Sequence, residues 1–142
     1  MRFEDFIKKG QVRRSSKDIS LIKALYKNTL NDLTYLASQK VTLLSARKVV
    51  TNYYDCLRSV LEAVASIEGY KVYQHEAFTY FLKEKNEEII AIKLDRFRKI
   101  CNRLSYYGED IPLEEAKELV AEIKKLTNDL IQKYLKEYKN GL

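Results

Sequence analysis

Apolar residues recur at intervals of three and four along most of the chain, the spacing that lines up one buried stripe on a helix. Phe3, Phe6 and Ile7 give a short amphipathic segment that Gly10 ends. The charged connector QVRRSSKD follows and supplies a Ser/Asp helix start. Ile22, Leu25, Tyr26, Leu33 and Leu36 then predict a helix over about 18–38. A wider stripe, from Ala46, Val49 and Val50 through Tyr53, Leu57, Val60, Leu61 and Val64 to Ile67, predicts the central core helix over about 44–68. Gly69 suits the left-handed residue just past its end.

The segment YKVYQ reads as a turn into a short helix over about 75–84, with Ala77, Phe78 and Phe81 facing inward. Ile90, Leu94, Phe97, Cys101 and Leu104 mark the next helix, over about 88–107, stopped by Gly108. Pro112 suits the first turn of a last helix, where its missing N–H is an orphan donor in any case. That helix is expected to run to about 139 on Leu113, Ala116, Val120, Ile123, Leu130 and Ile131, with NGL closing the chain.

One Pro and four Gly leave few breakers for short strands and tight turns, and no internal repeat or second-domain linker interrupts the pattern. The expectation is an all-α, up-down bundle of four main helices plus short ones. It is a single domain over residues 1–142, with residues 1–14 as a short basic N-terminal helix and connector. A chain of 142 residues that is 46% hydrophobic is long enough to bury a genuine core.

Charge changes the picture. Residues 1–50 carry 11 Lys and Arg against 4 Asp and Glu, whereas residues 51–142 carry 15 against 16, so the formal +6 belongs to the N-terminal third. Such an asymmetry attracts a polyanion such as RNA through phosphate contacts. No apolar run reaches the roughly 18 residues of a membrane span, and MRFEDFIKKG lacks the apolar core of a signal peptide. A cytoplasmic protein with no membrane partner is expected. The high Lys and Glu content with few Gln points toward a thermophilic source.

Several chemistries are excluded. Isolated glycines cannot form a dinucleotide fingerprint or a phosphate-binding loop, each of which needs several within a short stretch. One His and two distant cysteines, Cys56 and Cys101, make neither an ordinary zinc site nor a disulfide framework. No cofactor is expected. His75, beside Glu76 at a helix start, reads as a capping or packing residue in preference to a lone general acid or base.

The stretch RFRKICNRLSYYGED, residues 96–110, carries the strongest candidate chemistry. At about 100° per residue, Asp95, Arg98, Lys99, Asn102 and Tyr106 fall on one side of the helix, opposite the apolar stripe. Arg98 and Lys99 suit phosphates, Asn102 offers a donor and an acceptor, and Tyr106 offers a stacking face for an unpaired base. Asp95 with Lys99 is also an ordinary pair at i,i+4 on a solvated face.

The order YYDCLRSVLEAVASIEGYKVYQHEAFTYFL, then DRFRKICNRLSYYGEDI and a closing long helix, resembles the HEPN domains of prokaryotes. It is most similar to archaeal ones paired with minimal nucleotidyltransferases. The resemblance covers roughly residues 45–135 and implies a dimerising helical bundle that, in active members, cleaves RNA without metal. It also implies an Arg followed by a polar residue and, about five positions on, a His. Asn102 matches the polar residue, but Cys101 stands in place of the Arg and Tyr106 in place of the His. A phenol of pKa near 10 is a poor base at neutral pH.

Residues five apart on a helix point about 140° apart, so the family's two groups meet most simply across a two-fold axis. A homodimer is therefore expected, with two copies of Asn102, Arg103 and Tyr106 brought toward one basic cleft. The reading is a non-catalytic HEPN-like module that binds RNA or a nucleotidyltransferase in a two-component, toxin–antitoxin-like system. The alternatives are a metal-independent ribonuclease using Arg98, Arg103 and Tyr106, and a helical assembly scaffold.

Overall fold

The computed structural model describes residues 1–139; the closing NGL, residues 140–142, lies outside the described residues. Six helices and one short ribbon follow in the order α1 (Phe3–Lys8), β1 (Val12–Arg14), α2 (Ile19–Ala37), α3 (Ala46–Ile67), β2 (Tyr70–Val72), α4 (Ala77–Glu84), α5 (Glu88–Tyr106) and α6 (Leu113–Leu130). The fold is an all-α bundle in which α2, α3, α5 and α6 are the four main helices. No helix among the described residues is long and apolar enough to cross a membrane.

α3 is the axis of the bundle. Its stripe is so wide that Val50, Tyr53, Leu57, Val60, Leu61 and Val64 are all buried, as a helix packed on several sides requires. Sequence-distant contacts fix how its neighbours run. The Asp18 N–H donates to Ser66 Oγ at 3.4 Å, so the start of α2 lies by the end of α3 and the two are antiparallel. Lys85 pairs with Glu68, which places the start of α5 by the end of α3. Arg96 pairs with Glu122 and Lys133 with Glu87, so α5 and α6 are antiparallel as well. The α2–α3 turn and the α5–α6 turn therefore share one end of the bundle.

Local signals set the element ends. Asp18 caps α2, its Oδ1 accepting from the Leu21 N–H at 3.0 Å, which satisfies one orphan donor of the first turn. α5 stops where Tyr107 and Glu109 N–H groups turn back onto the Arg103 carbonyl and Gly108 takes φ +64°.

Two stretches depart from expectation. QVRRSSKD and YKVYQ are not a plain connector and turn: residues Val12–Arg14 and Tyr70–Val72 pair as an antiparallel ribbon, Val12 opposite Val72, Arg13 opposite Lys71 and Arg14 opposite Tyr70. A lone two-stranded ribbon is marginal in water. This one is held because Val12 is buried and Tyr70 meets Phe3 edge-on at 5.0 Å between ring centres. The last helix is α-helical only to Leu130; a π turn over Ile131–Leu135 and a 3-10 turn over Lys136–Tyr138 finish the described chain.

Candidate nucleic-acid interface on α5

α5 turns its apolar stripe, Ala91, Leu94, Phe97, Cys101 and Leu104, into the core. Cys101 is only 4% exposed and its thiol is pushed up to about 12 by burial, with the Asp55 carboxylate adding to the effect. It is a packed side chain with no thiolate at neutral pH. Tyr54 in the facing turn of α3 is likewise pushed up to about 12, by burial first and then by Cys101.

The polar side of α5 divides into two regions. In the first, Asp95 binds both neighbouring cations: Arg98 Nη2 at 2.9 Å and Lys99 Nζ at 3.0 Å. Burial raises the Asp95 carboxyl, but the hydrogen bonds from Arg98 and Lys99 and their charges outweigh it and hold it below the usual carboxylate range. These three residues line a groove of about 260 Å³ against α4, whose Thr79, Tyr80 and Lys83, with Glu76 just before it, form the other wall. Arg98 is largely buried, so its charge is spent inside the protein.

The second region is the C-terminal turn. Asn102 is half-buried, and Arg103 Nε reaches Glu109 Oε2 at 3.1 Å across the Gly108 turn while its side chain stays about half exposed. Tyr106 and Tyr107 are 80% and 77% exposed. The α2–α3 turn at the same end adds Leu43 and Leu44, 79% and 97% exposed, and the exposed cations Lys40, Arg47 and Lys48. The five-residue face expected from helical spacing is thus one face in azimuth but two sites in depth: Asp95, Arg98 and Lys99 close a groove, while Asn102 and Tyr106, joined by Arg103, stand at the open end.

Three contributors were not singled out from the sequence. Arg58 pairs with Asp55 at 3.5 Å and lies close enough to His75 to lower its pKa, burial being the larger cause. The His75 ring is exposed and lies nearly parallel to that of Phe78, 6.3 Å between centres. Leu43 and Leu44 sit between Thr42 and Ser45, which bond one another and cap the turn; two adjacent apolar residues inside a polar turn were the available signal.

Among the described residues, no group of three or more His, Cys, Asp and Glu side chains is placed to hold a metal ion. No family model, curated protein or solved structure matches the chain.

Proposed function

We propose that the protein is a non-catalytic, HEPN-like binding module of the cytoplasm that takes single-stranded RNA at the end of α5. The observation that carries this reading is the pair Tyr106 and Tyr107, both more than three-quarters exposed, beside Arg103 and within the same bundle end as Lys40, Arg47 and Lys48. Phenol rings stack unpaired bases, and cations hold the phosphates between them. The lack of catalysis is supported by Cys101, which fills the position of the family's Arg with a buried, protonated thiol.

Cleavage of structured and unstructured RNA in EDTA tests this against the ribonuclease alternative. Binding without cleavage is expected, whereas cleavage lost on Tyr106→Phe or Arg103→Ala would establish a displaced active site.

A second reading is favoured by Leu43 and Leu44: exposed apolar side chains at the same end of the bundle as the two tyrosines suit a protein partner, either a second copy in a homodimer or a nucleotidyltransferase. Light scattering at micromolar concentration separates a dimer from a monomer. Co-purification with a neighbouring nucleotidyltransferase, and loss of it on Leu44→Asp, would identify the other partner.

A further inference from the structure

The ribbon at the opposite end of α3 carries an arrangement that the fold does not require. Strand alternation puts Val12 and Val72 toward the core and leaves Arg13 and Lys71, directly opposite each other, on the solvent face. Like charges in that register repel. Neither has a carboxylate partner among the described residues: the Glu4 carboxylate goes to Arg14, on the other face, at 3.8 Å.

Both cations instead converge on one ring. The Arg13 guanidinium lies 5.6 Å and the Lys71 ammonium 5.7 Å from the centre of Tyr73, which extends the ribbon through its N–H to the Gln11 carbonyl at 2.8 Å. Tyr73 is 52% exposed. Arg13 comes from the part of the chain that holds the positive excess.

We propose that Arg13, Lys71 and Tyr73 form a second binding site, one for the phosphodiester backbone and an unpaired base of a single-stranded nucleic acid. Two long cationic side chains on a flat ribbon relieve their mutual repulsion when a phosphate comes between them. As they leave the tyrosine for the phosphate, the ring face opens to a base, which is the combination of charge and stacking that single strands use. An acidic protein segment would meet the cations equally well but has no use for the ring. The inference goes beyond the α5 reading and does not depend on it, since the ribbon lies near the far end of a helix about 33 Å long, 22 residues at 1.5 Å each.

The test is fluorescence anisotropy of a labelled uridine oligomer of about 16 nucleotides, a length within the range of single-strand sites, over a series of salt concentrations. Arg13→Ala/Lys71→Ala is expected to weaken binding at least tenfold at low salt. It should also reduce the slope of log K against log salt by about 1.4, two contacts at about 0.7 each. Tyr73→Leu is expected to weaken single-strand binding roughly fivefold or more while leaving duplex binding unchanged. Tyr106→Ala/Tyr107→Ala, at the other end, is the background on which the same differences should persist. Arg13→Gln/Lys71→Gln repeats the measurement with side chains that preserve the ribbon. Wild-type affinity and slope in the Arg13→Ala/Lys71→Ala and Arg13→Gln/Lys71→Gln variants would overturn the proposal, and so would polyglutamate competing as well as RNA with no effect of Tyr73→Leu.

Discussion

Tyr134 donates its hydroxyl hydrogen to Glu87 Oε1 at 2.8 Å, joining the turn before α5 to the π turn that follows α6. Lys133, the preceding residue, pairs with the same oxygen. Two adjacent residues of the π turn thus reach one carboxylate. Lys85 completes the junction, pairing with Glu68 and lying 5.0 Å from the Tyr134 ring centre, so that three separate parts of the chain are tied at one end of the bundle.

Tyr134→Phe removes a hydrogen bond to a charged, mostly buried acceptor. The expected loss is about 1.5–3 kcal/mol, the usual worth of such a bond, measured by urea unfolding of wild type and variant. A loss under about 0.5 kcal/mol would show that Lys133 alone satisfies Glu87.

The same junction sets a pH dependence. Burial raises the Glu87 carboxyl, but the hydrogen bonds from Lys133 and Tyr134 and the charges of Lys133 and Lys85 bring it below its ordinary value of 4.5. A carboxyl whose folded pKa is lowered stabilises the fold fully above its unfolded pKa and loses that contribution as pH falls through the folded value. Thermal melts of wild type and Glu87→Gln should therefore differ most near pH 7 and converge as the solution is acidified below about 4.5. A constant difference over that range would assign the effect to packing.

Both cysteines lie in the core and burial pushes both thiols up to about 12. Iodoacetamide at pH 8 is expected to leave the native protein unmodified and to alkylate both side chains once urea unfolds it. Prompt native-state labelling of Cys101 would mean that α5 opens away from α3, and labelling of Cys56 that α2 does.

Glycine conformation makes a graded comparison. Gly69 has φ +86° and a Cβ there would meet the Ser15 carbonyl oxygen at 3.1 Å, while Gly108 has φ +64° and open space around it. Gly108→Ala should cost about 1 kcal/mol for the left-handed backbone alone. Gly69→Ala should cost more, because the carbonyl it crowds belongs to Ser15, whose N–H bonds the Gly69 carbonyl at 2.8 Å and anchors the ribbon. Equal losses in chemical denaturation would show that the ribbon yields freely.

The helices were legible because their stripes are long: the spacing of Val49, Val50, Tyr53, Leu57, Val60 and Leu61 admits only a helix buried on several sides. The ribbon was not. Val12–Arg14 and Tyr70–Val72 are three residues each, too short for alternation to register, and their pairing depends on contact between distant segments. At the candidate site, helical spacing placed Asp95, Arg98, Lys99, Asn102 and Tyr106 on one side of α5. Depth depends on tertiary packing instead: α4 covers Arg98 and leaves Tyr106 in solvent, a difference that no period of 3.6 encodes.

The exposed end of α5 is most directly tested by titrating labelled single-stranded RNA in EDTA with wild type and with Tyr106→Ala/Tyr107→Ala, and running the recovered RNA on a gel. Both rings are exposed, so the variant should keep its stability within about 0.5 kcal/mol. Salt-dependent binding of intact RNA, weakened roughly fivefold or more in the variant, is the expected result. RNA cleaved by the wild type, or bound equally by both proteins, would contradict a non-catalytic stacking surface at this end of the bundle.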